Sequence, residues 1–268
     1  MAVAALDRQL GLGTSAALAD AGAADLDGGA LTGRFCVLRV GRALAVVPRR
    51  GHGAGDPVYL GPDTAWFLQA LWKLAAGGRR AVELGTGTGL IAAALSPRYE
   101  LMVGTDVVPT TIDIAALTFW LNRDLARGRT VAVLADVASG LRPRSFDLVV
   151  ANAPWVPSAM SRPNGGRRRF ADGGPTGQEL PIRFLVEGVE LLAPGGVAVV
   201  QCLDLVYDDG QRPLVDVCRR LRASGCRADL QPVGPAALSA SLNPRLREAG
   251  VPAQVTLVDV IVERPERP

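Results

Sequence analysis

Three acids and one asparagine stand at spacings that suit the handling of a nucleoside and of an amide. Glu83 lies two residues before the first glycine of Gly85-Thr86-Gly87-Thr88-Gly89. Glycine has no Cβ and adopts positive φ freely, so such a loop lets its backbone pass close to a ligand. The helix expected after it offers unpaired N–H groups at its start. Asp106 follows, 21 residues after Gly85, at the end of an apolar segment. An acid there can accept both hydroxyls of a ribose. Its other use would be to cap the next helix, a task that Pro109 and Thr110-Thr111 can also serve. Asp136 ends the next such segment, where an acid can likewise cap the following helix. In Asn152-Ala153-Pro154-Trp155, the asparagine side-chain oxygen and the following carbonyl can converge as two acceptors. They would hold an NH₂ group and enrich its nitrogen, while the flat Trp155 stacks on the conjugated group behind it. Chemistry of that kind rests on positioning and dipole placement and needs no strong base. The competing use of this segment is a strand end turning on Pro154, with Trp155 in the core.

The elements that must carry these residues alternate. Strands read at 80–84, 100–106, 130–135, 146–152 and 196–203, and helices at about 88–96, 110–126, 177–193 and 210–224. That order predicts a parallel sheet covered on both faces. Two more strand candidates, 227–233 and 253–263, flank about twenty residues containing Pro235, Pro244 and Gly250. Ahead of the alternating region, residues 1–30 have apolar spacing that predicts one or two short helices. The segments 35–40 and 43–47 flank Gly41-Arg42 and predict a hairpin. A Gly- and Pro-rich loop follows, and Asp63 or Thr64 is expected to cap a helix running to about Leu74. The division expected is an extension over residues 1–55 and one domain over 56–268. Residues 156–172 read as an irregular lid, broken by Pro157, Pro163, Gly165 and Gly166. Arg162, Arg167, Arg168 and Arg169 make that lid basic. They suit a carboxylate or phosphate on an acceptor, or simply solvent.

Composition narrows the classes. The chain has 268 residues, 49% of them hydrophobic, enough for a sizeable core. No apolar run reaches the ~18 residues of a spanning helix, and no signal-peptide pattern opens the chain. Cys36, Cys202, Cys218 and Cys226 show no C-x-x-C spacing. They read as thiols in a reducing cytoplasm. His52 is the only histidine, which argues against a zinc site or a Ser-His-Asp triad, and no metal is expected. A net charge of +3 falls well short of a nucleic-acid footprint.

The glycine loop lacks the third glycine of G-x-G-x-x-G, because Leu90 occupies that place. The remaining pattern, E-x-G-x-G-x-G, resembles motif I of the class I S-adenosylmethionine (SAM) dependent methyltransferases. The resemblance covers about residues 55–265. It implies an α/β fold: a seven-stranded, mostly parallel, doubly wound sheet whose last strand is antiparallel and inserted beside its neighbour. A small N-terminal extension with helices and a β-hairpin would precede it. It implies SAM as cofactor, held by Glu83, Gly85, Thr86, Gly87, Gly89, Asp106, Val107, Asp136, Val137 and Asn152. In that family the acid at Asp136 takes the adenine amino group, and the next N–H, here of Val137, faces the adenine ring. Asn152-Ala153-Pro154-Trp155 is similar to the N-P-P-Y/F/W signature of enzymes that methylate planar nitrogens, with Ala153 for the first proline. The catalytic set implied is Asn152, Ala153, Pro154 and Trp155. The hairpin extension, the Asp63-Thr64 pair and the turn Ala171-Asp172-Gly173-Gly174-Pro175-Thr176-Gly177 resemble the branch that methylates glutamine side chains of release factors.

The leading expectation is transfer of the sulfonium methyl to an amide or amine nitrogen of a small metabolite or of a protein glutamine. The altered signature and the basic lid lean towards a small anionic acceptor. Three alternatives stay open: use of the aminocarboxypropyl group of SAM with release of methylthioadenosine, N-methylation of an RNA base, and a non-catalytic SAM-fold protein. Neither a nucleic-acid nor a membrane partner is expected, and the sequence is silent on oligomeric state.

Overall fold

The computed structural model describes residues 4, 7–8, 14–20, 24–27, 29–49, 58–161, 169–251 and 253–266. Its centre is a seven-stranded sheet of order β12-β13-β11-β8-β5-β6-β7. The strands are β5 (Gly78–Leu84), β6 (Tyr99–Asp106), β7 (Arg129–Leu134), β8 (Phe146–Asn152), β11 (Leu192–Tyr207), β12 (Arg227–Pro232) and β13 (Ala253–Glu263). β7, β6, β5, β8 and β11 are parallel to their neighbours, and β13 runs antiparallel between β11 and β12. Inner strands such as Phe146–Asn152 read as continuous apolar runs because helices cover both faces. The inserted antiparallel strand stands where the family resemblance placed it.

Helices α1 (Thr14–Asp20), α2 (Pro62–Leu74), α3 (Leu90–Leu95), α4 (Pro109–Leu121), α5 (Glu179–Leu191), α6 (Pro213–Ala223) and α7 (Ala236–Glu248) complete the described elements with four short N-terminal strands. Strand pleating divides the core in two. Val82, Leu84, Val149 and Ala151 face α5 and α6. Ala81, Leu148, Val150 and Val199 face α2, α3 and α4. By that alternation Glu83 and Asn152 lie on the α2 side, at or near the strands' carboxyl ends.

Four expectations are corrected. The N-terminal region holds helical residues at 4, 7 and 8 and the helix α1, as expected, and then a hairpin of β1 (Ala24–Asp27) and β2 (Ala30–Gly33), which was not expected. The pair β3 (Phe35–Val40) and β4 (Ala43–Pro48) forms as expected. It is also tied to the core, since Asn122 of α4 accepts from Leu44 N at 2.8 Å and donates to Leu44 O at 2.8 Å. The boundary expected at residue 55 lies outside the described residues. The cap of α2 is Gly61 with Pro62 behind it, and the Asp63 and Thr64 side chains do not cap it. The stretch around Pro235 and Pro244 contains α7, which keeps its helix despite Pro244 because Leu242 and Leu246 bury against Leu203, Leu205 and Leu257. Finally, the ends of the supposedly irregular lid are paired: β9 (Val156–Pro157) lies parallel to β10 (Asp172–Gly174).

One buried polar pair makes a measurable statement about stability. Gln201 and Asp259 are cross-strand partners, 0% and 1% exposed. Gln201 Nε2 donates to Asp259 Oδ1 at 3.0 Å, and Gln201 Oε1 and Asp259 Oδ2 have no partner among the described residues. Burial pushes the Asp259 carboxyl up to about 6 against the Gln201 hydrogen bond. The folded state therefore holds a proton that the unfolded chain has lost between its ordinary value and about 6, and stability falls as pH rises through that window. Asp259→Asn, neutral at every pH, is expected to stabilise the protein at pH 7.5 by up to about 3 kcal/mol. The gain should vanish near pH 4, and thermal melts at the two pH values check it.

Candidate active site

A cavity of about 210 Å³ opens at the carboxyl ends of β5, β6 and β8. Chain order reverses here, between β5 and β8, which is where open α/β sheets bind ligands. Gly85, Gly87 and Gly89 all hold positive φ, at 66°, 53° and 76°. Glu83, 2% exposed, braces this loop from beneath. Its Oε2 accepts from Thr86 Oγ1 at 2.6 Å and from Ala92 N at 2.9 Å. Burial raises its carboxyl to about 8 in spite of those two donors. Gly89 does not line the cavity: it caps α3, and a Cβ there would stand 2.9 Å from Phe119 and 3.1 Å from Ala115. Its role is close packing of α3 on α4. Thr88 lines the cavity instead.

Asp106 ends β6 and clamps the loop. Its Oδ2 accepts from Gly87 N at 3.2 Å and its Oδ1 from Val108 N at 3.0 Å. Burial holds its carboxyl above the usual range, partly offset by those backbone donors. Val107 is 58% exposed along the cavity wall. Val137 sits at φ 51°, a strained position for a β-branched residue. Thr105 Oγ1 donates to its carbonyl at 3.2 Å and holds it there. Asp136 lines the same cavity, but both its oxygens bind the Arg183 guanidinium, at 2.8 and 3.0 Å. A ligand reaching Asp136 would share it with α5.

Asn152 closes β8 and borders two cavities. The second, about 240 Å³, shares Tyr59, Asn152, Pro154 and Phe170 with the first. Asn152 Nδ2 donates to Asp63 Oδ2 at 3.0 Å and lies 3.4 Å from Thr64 Oγ1. Tyr59 donates to Asp63 Oδ1 at 2.8 Å. A carboxylate oxygen only accepts, so Asp63 dictates which end of the Asn152 amide it faces. The Asn152 Oδ1 is then left to the cavities, with no protein partner among the described residues. Tyr59 and Phe170 stack with centroids 5.6 Å apart. Ala153 and Trp155 line only the second cavity, where Trp155 packs beside the Leu203–Leu242–Leu246 cluster. Arg169 lines the first cavity; Arg162, Arg167, Arg168 and His52 lie outside the described residues.

The glycine-rich turn supports this edge. A Cβ at Gly173 would stand 2.6 Å from Pro154 O, and one at Gly177 would stand 2.4 Å from Trp155 O. Gly177 also has φ 87°. Gly177→Ala is therefore expected to cost about 1–3 kcal/mol in stability. It should also displace Trp155, read as a lower melting temperature together with a shifted tryptophan emission.

Asp63, Tyr59, Thr64, Phe170 and Phe184 are site residues that sequence reasoning did not assign. Asp63-Thr64 carried a signal, but as a helix start; its contact with Asn152 joins positions 89 residues apart.

The fold is that of the class I SAM-dependent methyltransferases. Methanocaldococcus jannaschii TYW2, solved in complex with AdoMet, superimposes with a TM-score of 0.55 over 86% of this chain and 87% of its own, at 13% identity. The Encephalitozoon cuniculi Mtq2–Trm112 complex gives 0.50 over 78% and 99%, at 20% identity. Within that class the sequence is similar to glutamine methyltransferases. It is 35% identical to the release factor glutamine methyltransferase of Rhodospirillum rubrum over 52% of this chain and 45% of that protein. It is 29% identical to a putative protein N5-glutamine methyltransferase of M. jannaschii over 44% and 59%. A tRNA1(Val) (adenine(37)-N6)-methyltransferase of Bacteroides thetaiotaomicron is 31% identical over 39% and 44%. The chain spans about half the length of the curated relatives it matches. No protein-family model matches the chain. Among the described residues no helix is long and apolar enough to cross a membrane.

Proposed function

We propose that this protein is a SAM-dependent N-methyltransferase acting on an amide or amine nitrogen. The observation that carries the reading is the pair of cavities meeting at Asn152 and Pro154. One would hold the methyl donor and the other the acceptor, with the asparagine between them. SAM fits the first cavity by the chemistry of its wall. The glycine loop gives close backbone approach, Asp106 gives carboxylate oxygens for a ribose, and Val107 and Val137 give apolar faces for a base. Bound there, SAM would supply an activated methyl on a sulfonium. The chain's own part is to hold the acceptor NH₂ on Asn152 Oδ1 and the carbonyl of residue 153. The nitrogen lone pair is thereby aimed at the donor cavity, and its N–H proton is lost to solvent as the new N–C bond forms. No strong base is required, because the asparagine dipole favours the positive charge that develops on nitrogen.

The relatives named glutamine methyltransferases support a primary amide as acceptor, on a protein side chain or a small molecule. The tRNA methyltransferase relative favours a second reading, methylation of an adenine amine, and RNA binding that falls steeply with salt would support it. The test is an incubation with SAM, with and without amide acceptors, followed by mass spectrometry. S-adenosylhomocysteine formed in proportion to methylated amide is the expected outcome. Methylthioadenosine formed from SAM alone would overturn it.

A further inference from the structure

The second cavity is apolar over most of its wall, with Trp155, Met160, Leu203, Leu242 and Leu246. Two charged side chains line it: Asp63 and Arg245. Asp63 is buried and committed, taking Tyr59 Oη at 2.8 Å and Asn152 Nδ2 at 3.0 Å. Arg245 differs. It comes from the last turn of α7, is exposed, and its guanidinium makes no ion pair or side-chain hydrogen bond among the described residues. Two residues on, Arg247 shows what an arginine of this helix does with a carboxylate in reach: it binds Asp208 at 2.7 and 2.9 Å. α7 therefore brings a cation with open donors to a pocket that Asn152 also lines. An arginine fork with five donors beside an apolar wall suits a carboxylate or phosphate, taken bidentately.

We infer that Arg245 makes this pocket selective for acceptors that carry an anionic group, so that the amide held at Asn152 and a carboxylate or phosphate belong to one small molecule. The inference rests on the second cavity being the acceptor site, but not on what the donor transfers. Arg245 acts in binding, so its effect belongs in affinity and KM, with kcat little changed.

Binding to the full chain saturated with S-adenosylhomocysteine tests it. Two probes differ only in charge: N-acetylglutamine, with a free carboxylate, and its neutral carboxamide. Calorimetry is expected to give at least tenfold tighter binding for the carboxylate. Arg245→Gln should remove that preference and leave the neutral probe and S-adenosylhomocysteine unaffected, and Arg245→Lys should keep part of it. Equal binding of the two probes, no binding of either, or equally tight binding of a glutamine peptide without acidic neighbours would overturn the inference. Carboxylate-selective binding that depends on Arg245 would sustain it even where the separate incubation with SAM gives methylthioadenosine and defeats the methyltransferase reading.

Discussion

Asn152→Ala is expected to lower kcat for methyl transfer by roughly 10²–10³-fold, the loss typical of removing one preorganised polar group from a reacting centre. The variant removes Oδ1, the acceptor facing the shared edge of the two cavities, and with it the group that would orient the nitrogen. SAM affinity should change far less, because in the proposed donor site the loop and Asp106 would hold the donor without it. Asp63→Asn separates position from presence. An asparagine at 63 can receive or donate, so the Asn152 amide is no longer forced to turn its nitrogen inward. A population with the NH₂ group towards the acceptor would be inactive, and kcat should fall about tenfold with KM nearly constant. Tyr59→Phe leaves both Asp63 oxygens in place and should keep the Asn152 orientation. Steady-state kinetics with saturating SAM read all three. An Asn152→Ala enzyme within threefold of wild type would remove the asparagine from the chemistry.

The contrast between Asn152 and Asp63 also shows what was readable in the chain. Strands β5, β6, β7 and β8 are short apolar runs ended by an acid, a glycine loop or Asn-Ala-Pro, so period and punctuation located them to within a residue or two. The candidate residues at their ends line one cavity, because in a parallel sheet the carboxyl ends gather at one edge. Strand order came from family resemblance, since periodicity carries no information on which strand lies beside which. Asp63 was misjudged because its signal is locally ambiguous. An acid at a helix start reads as a cap, yet Gly61 and Pro62 already make that turn, and the carboxylate is spent on a residue 89 positions away. α7 was missed for the opposite reason: Pro244 argues against a helix locally, and only burial of Leu242 and Leu246 against the far end of the sheet overrides it. The motif places Gly89 with the ligand, and in the structure it stands outside the first cavity and close against Phe119 and Ala115. The N-terminal hairpin pairs Asp27 with Ala30, and the sequence has two glycines between them, a signal that the apolar spacing of residues 1–30 outweighs.

Asp106→Ala should abolish measurable SAM binding at micromolar ligand while leaving a folded protein. Two effects add. The carboxylate fixes the loop through Gly87 N and Val108 N, so its loss frees the backbone that must pass close to the ligand. In the proposed donor site it would also provide the acceptors for two ribose hydroxyls, and hydrogen bonds to a charged group contribute about 1.5–3 kcal/mol each. Together these predict a dissociation constant raised at least 10²-fold. The fold itself should tolerate the change. The carboxylate is held above its ordinary pKa by burial, so removing it relieves a desolvation cost that partly offsets the two lost backbone bonds. The melting temperature without ligand should therefore move by only a few degrees, while the stabilisation that SAM gives the wild type should disappear. Asp106→Asn keeps the size and one acceptor and should fall between. Calorimetric titration and ligand-dependent melting measure both quantities on the same samples. Unchanged SAM affinity in Asp106→Ala would mean that the donor lies elsewhere, and the division of labour between the two cavities would have to be abandoned.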